Sequence, residues 1–117
     1  MAVDQLIWFE VLGKDPGKLR AFYGELFNWK FTMSQMPDMD YGMTDKGDTG
    51  IGGGVGKAQG GAGWATFYVQ VKDIRASVAR AEALGGKVLL PIMKIPEGEI
   101  AVVADPEGHP VGLATAE

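Results

Sequence analysis

Apolar and other side chains alternate through residues 6–12, with Ile7, Phe9 and Val11 on one side and Trp8 and Glu10 on the other. That period of two is the signature of a β-strand. It returns at 66–71, where Phe67, Val69 and Val71 oppose Thr66, Tyr68 and Gln70. After each strand the period changes. Leu19, Phe22, Tyr23, Leu26 and Phe27 recur at helical spacing behind Asp15, a good N-cap, and Pro16, which suits the first helical position. Asp73 repeats the cap, and Ile74, Val78, Ala81 and Leu84 line a second helix that Gly85 and Gly86 stop. Three short extended runs are predicted after each helix, at 30–34, 39–44 and 50–55 and then at 87–93, 99–104 and 110–114. The turn Asp105-Pro106-Glu107-Gly108 introduces the last.

The two series are one pattern written twice. At an offset of 58, Phe9 matches Phe67, Val11 matches Val69, and Lys14-Asp15 matches Lys72-Asp73; at an offset of 60, Ile51-Gly52 matches Val111-Gly112. The order βαβββ, repeated, predicts an α+β chain of two modules, about 4–57 and 64–117, within a single domain spanning 1–117. The Gly-rich stretch 58–63 is the linker between them.

Composition narrows the function. With 46% apolar and 22% charged residues the chain can bury a core, and a formal charge of −4 without a basic cluster argues against nucleic acid. There is no cysteine, which removes disulfides, thiolate metal sites and a thiol nucleophile and agrees with a cytoplasmic address. No apolar run reaches membrane-spanning length, and Glu10 interrupts the N-terminal apolar stretch where an export signal would continue.

Trp8-Phe9-Glu10 on an opening strand, Asp15 with Phe22-Tyr23, Asp73, Gly85-Gly86 and Asp105-Pro106-Glu107-Gly108 occur in an order that resembles the vicinal oxygen chelate superfamily. That group includes glyoxalase I, extradiol dioxygenases and the bleomycin-resistance proteins. The resemblance covers residues 6–114 and implies a glyoxalase/bleomycin-resistance-like fold, with each sheet curling into a cup and the chain forming a homodimer. It also implies metal ligands on the first and last strand of each module, at the positions held here by Trp8, Gly52, Thr66 and Gly112. None of these carries an imidazole or a carboxylate, so no metal and no other cofactor is expected.

Among candidate site residues Glu10 stands first. A carboxylate sharing a strand face with Trp8 is either a partly buried group, with its pKa raised by desolvation and able to serve as a general base, or an ion-pair partner of a neighbouring strand. Trp8, Glu10, Tyr41, Met43, Thr66 and Tyr68 are the expected ligand-binding residues, sharing the cup if the strand phases hold; otherwise they fill it as core. Glu99 is expected in solvent. His109, the only histidine, is expected to face water after its turn, with no second ligand or triad partner. Gly50–Gly56 lacks the spacing of a phosphate loop and reads as a strand whose bare positions let a backbone approach or the sheet bend. The methionines, Met33, Met36, Met39 and Met43 among them, read as core filler, with an adaptable pocket wall as the alternative. The resulting expectation is a metal-independent protein that binds or sequesters a partly apolar metabolite or antibiotic. The alternative is a metal-free isomerase or lyase with Glu10 as base; a metal-dependent lyase or dioxygenase lacks its ligands.

Overall fold

In the computed structural model, which describes residues 3–116, the chain runs β1 (Leu6–Gly13), α1 (Pro16–Phe27), β2 (Thr32–Met33), β3 (Tyr41–Thr44), α2 (Lys46–Thr49), β4 (Gly52–Lys57), β5 (Trp64–Gln70), α3 (Ile74–Ala83), β6 (Lys87–Ile95), β7 (Gly98–Ala104) and β8 (Pro110–Ala116). The α+β class and the βαβββ order are as expected. Two compact units result, one of Trp8–Ala65 and the other joining the chain up to Ile7 with residues from Thr66 onward.

In the first unit β1 pairs in parallel with β4, β4 antiparallel with β3, and β3 antiparallel with β2. Asp15 caps α1 as predicted, its side chain accepting from the Lys18 amide with Pro16 following. The one-turn helix α2, capped by Asp45, is an addition that alternation did not foresee. It and Gly50, at φ 87, displace β4 two residues beyond the expected 50–55.

The apolar stripe of α1 is not the buried face. Phe22, Leu26 and Phe27 are 58%, 58% and 52% exposed, whereas Pro16 is buried and Leu19, Arg20, Tyr23 and Gly24 are half-buried. Arg20 explains the rotation. Its guanidinium donates to the Val55 carbonyl at 3.1 Å and to the Asp40 carboxylate at 2.8 Å, while Tyr23 stacks on Trp29 with centroids 5.9 Å apart. These contacts hold Arg20 and Tyr23 on the inner side of the helix, the partly exposed Arg20–Asp40 pair itself contributing no more than about 1 kcal/mol.

The second unit repeats the topology, with β5 parallel to β8, β8 antiparallel to β7 and β7 antiparallel to β6. Its core is Val71, Ile74, Ala101, Val103 and Leu113, with Val69, Val78 and Ala81 against it. Asp73 caps α3 by accepting from the Ala76 amide. Leu84, expected on the buried stripe, is instead exposed at the helix end, and Phe67 is exposed as well. Gly86 is required there because a Cβ would press on the Ala81 carbonyl oxygen at 3.0 Å. In the turn before β8, Asp105 accepts from the Glu107 and His109 amides and lies 3.0 Å from His109 Nδ1. The His109 amide and ring hold the Asp105 carboxyl below its ordinary value. His109 faces water as expected, and Glu99 pairs with Arg75 at 3.3 Å.

Candidate functional site

The strand register sets the site. Trp8 pairs with Gly52 and Glu10 with Gly54 across β1–β4, while Tyr41 pairs with Gly56 and Met43 with Gly54 across β3–β4. Directly paired residues share a face, so Trp8, Glu10, Tyr41 and Met43 stand on one side of this sheet, flanking three bare positions of β4. The bare positions are occupied by rings. A Cβ on Gly54 or Gly56 would overlap Tyr41, and one on Gly52 would come within 2.9 Å of the Trp8 ring. On the opposite face Gly53 makes room for Phe9, whose ring lies 5.3 Å from that of Trp29. The expected close backbone approach holds at Gly56, where a Cβ would also press on the Asp40 carbonyl oxygen at 2.8 Å, and beyond that expectation the glycines seat aromatic side chains on both faces.

A directed chain of hydrogen bonds crosses the first face. Trp8 Nε1 donates to Tyr41 Oη at 2.9 Å, and Tyr41 Oη donates to Glu10 Oε1 at 3.1 Å. An indole N–H can only donate, which leaves the Tyr41 hydroxyl hydrogen for Glu10. Trp64 Nε1 reaches the other oxygen, Oε2, over a longer 3.5 Å. Glu10 and Tyr41 are each 9% exposed; Trp8, Met43 and Trp64 are half-buried. Arg20 steadies the arrangement from the helix side, because its partners are Asp40, which precedes Tyr41, and Val55, which lies between Gly54 and Gly56.

Trp8, Glu10, Tyr41 and Met43 thus come to one face of the first unit. Thr66 and Tyr68 belong to the second unit. There the Thr66 hydroxyl donates to the Pro110 carbonyl, and the buried Tyr68 ring covers Gly112, with which it pairs. Trp64 was not singled out from sequence. Extending the alternation of Thr66 and Tyr68 back by two positions would have found it.

The four positions at which the resemblance implies a metal do not fit one. Trp8 offers an indole N–H already directed at Tyr41, Gly52 and Gly112 lie under rings, and the Thr66 hydroxyl is engaged by a carbonyl. Among the described residues no three His, Asp or Glu side chains are grouped to hold an ion.

A family model described as a glyoxalase-like domain matches residues 8–114. "Putative glyoxylase CFP32" of Mycobacterium tuberculosis is 31% identical over 107 residues, covering 88% of this chain, and the protein of the same name from Mycobacterium bovis matches equally. The match spans only 41% of the length of these relatives. A glyoxalase/bleomycin resistance protein/dioxygenase superfamily member from Vibrio splendidus superposes with a TM-score of 0.66 at 14% identity, over 97% of this chain and 99% of that one. Methylmalonyl-CoA epimerase from Mycobacterium tuberculosis gives 0.63 at 12% identity, over 96% and 87%. At such identities these two likenesses establish the fold. With a family model spanning residues 8–114 and curated relatives 31% identical over 88% of its length, the chain belongs to the glyoxalase-like domain family.

Proposed function

We propose that the face bearing Trp8, Glu10, Tyr41 and Met43 binds a small, partly apolar molecule without a divalent metal, with Glu10 as the polar anchor. The observation that carries this reading is the Glu10 carboxylate, held in an aromatic setting by the Tyr41 hydroxyl. Half-buried Trp8 and Met43 supply apolar contact beside it, the mixture of apolar wall and few oriented polar groups that small-molecule sites use. In the second unit, taken by itself, Thr66 and Tyr68, whose ring is laid over Gly112 much as Trp8 is over Gly52, are the proposed ligand-contacting residues. Equilibrating the purified protein with metabolite and antibiotic mixtures and identifying what is retained by mass spectrometry tests the reading. Retention that Trp8→Ala does not weaken would overturn it.

A second reading, an isomerase or lyase that moves a proton at Glu10, is favoured by one observation. The Tyr41 hydroxyl supplies the proton-bearing neighbour that a lone carboxylate would lack. The names of the relatives, a glyoxylase and an epimerase, denote enzymes and agree with it.

Metal independence has its own test. The purified protein is expected to hold no stoichiometric Zn, Ni, Fe or Mn, and chelator is expected to leave its melting temperature unchanged. An ion bound only by the folded state would stabilise it by linkage and make the melt chelator-sensitive. About one such ion per chain, retained through dialysis against chelator, would refute the proposal.

We place the chain in the cytoplasm as part of this reading; among the described residues no helix is long and apolar enough to cross a membrane. The exposed Phe22, Leu26 and Phe27 on α1 support a two-fold homodimer in which a second copy covers them. The curated relatives carry more than twice the matched length in one polypeptide, room for a covalently joined counterpart. Sedimentation at micromolar concentration should show a species of twice the chain mass, lost in Phe22→Glu; a single-chain mass for the parent would contradict the dimer.

A further inference from the structure

We infer that the hairpin loop between β2 and β3 is a binding site for a soft monovalent cation of the copper(I) type, formed by the thioethers of Met33, Met36 and Met39. The inference is independent of the small-molecule reading. Three methionines recur at every third position in seven residues, and all three stand in solvent at 45%, 48% and 44% exposure. The expectation that they fill the core is thereby corrected. More than half of each side chain is covered, the Met33 sulfur lying against Gly42, yet all three stay open to water, and the property they share is the sulfur.

The loop holds them together. Met33 ends β2 and pairs with Gly42, and the Ser34 amide donates to the Tyr41 carbonyl at 2.8 Å, closing the hairpin. Pro37 and left-handed Asp38, at φ 61, make a turn in which the Met39 amide donates to the Met36 carbonyl at 3.4 Å. This is the pattern of a type II turn, which keeps its first and fourth Cα atoms within about 7 Å. Met36 and Met39 are therefore neighbours across the turn. Ser34 Oγ accepts from the Met36 amide at 3.2 Å and donates to Met39 Sδ at 3.7 Å, drawing that sulfur back over the loop.

The donor chemistry selects the ion. Thioethers are neutral, soft and free of competition from protons, and they favour copper(I) over magnesium, calcium or zinc. The chain has no cysteine and its single histidine belongs to the turn before β8 in the other unit, so the loop itself offers neither the thiolate nor the imidazole of a structural zinc site. Exposed Asp38 adds a negative charge beside the sulfurs.

The test uses the intact chain with 13C-labelled methionine methyl groups, titrated with silver(I) as a diamagnetic probe and then, anaerobically, with copper(I) against a chromophoric copper(I) chelator. The Met33, Met36 and Met39 methyl signals are expected to move together and saturate at one equivalent, with Met93, 47% exposed, as the unmoved control. Met36→Leu keeps volume in an exposed position, so its melting temperature should match the parent. Its affinity should fall by at least the roughly tenfold that losing even an outer-shell partner costs at metal sites. Parent-like affinity in Met36→Leu, equal movement of Met93, or no saturable shift would each overturn the assignment.

Discussion

Gly54→Ala is expected to destabilise the protein by about 3 kcal/mol, lowering the melting temperature by roughly 10 °C. A methyl group there occupies the space of the Tyr41 ring, which must leave the face and take with it the hydrogen bonds from Trp8 and to Glu10. Overpacking alone costs about 1–3 kcal/mol, and each lost hydrogen bond adds about 0.5–1.5 kcal/mol. The cause is isolated by a double-mutant cycle. Tyr41→Ala removes the ring and is itself costly, about 3 kcal/mol or more by analogy with other buried aromatics. In that background Gly54→Ala should be close to neutral, giving a coupling of about 2 kcal/mol or more between residues in contact. An equal cost for Gly54→Ala in both backgrounds would show that the glycine serves some purpose other than seating Tyr41.

Glu10 is expected to separate binding from stability. Glu10→Ala removes the acceptor used by the Tyr41 hydroxyl and, over a longer bond, by the half-buried Trp64 indole, and each lost bond costs about 0.5–1.5 kcal/mol, the Trp64 share being the smaller. Glu10→Gln keeps the size and one acceptor oxygen, and Tyr41 can turn its hydroxyl to accept from the new amide, so the loss should stay near 1 kcal/mol. Ligand affinity or turnover should nevertheless fall ten- to a hundredfold in the Gln variant, the equivalent of one charged hydrogen bond of about 1.5–3 kcal/mol. Thermal melts paired with titration of the retained ligand check both halves. A Gln variant that binds and reacts like the parent while melting well below it would make Glu10 a structural partner of the aromatic cluster.

Beyond the family itself, much was legible from local chemistry. Asp15-Pro16, Asp73, Gly85-Gly86 and the Asp105–Gly108 turn act within five residues of themselves, so α1, α3 and the last turn stand where the caps and glycines placed them. Strand alternation likewise put Glu10 on the face of Trp8 before any fold was known. The positions without ligand side chains at Trp8, Gly52, Thr66 and Gly112 were equally a matter of residue identity. What sequence could not decide was which of several apolar options each element would use. The α1 helix carries aromatic residues over a wide arc, and the face that turns inward is the one bearing Arg20, bonded to Val55 and Asp40, while Phe22 and Leu26 stay outward. The glycines of β4 look alike in sequence, yet they are defined by rings from positions 8 and 41. The chain from Trp8 through Tyr41 to Glu10, and Trp64 beyond it, joins residues 31 to 54 positions apart. Such contacts exist only once strand register is set, and register is a property of paired strands. The methionine loop makes the same point: residue type alone suggested core filler, and only the tertiary structure leaves Met33, Met36 and Met39 about half exposed.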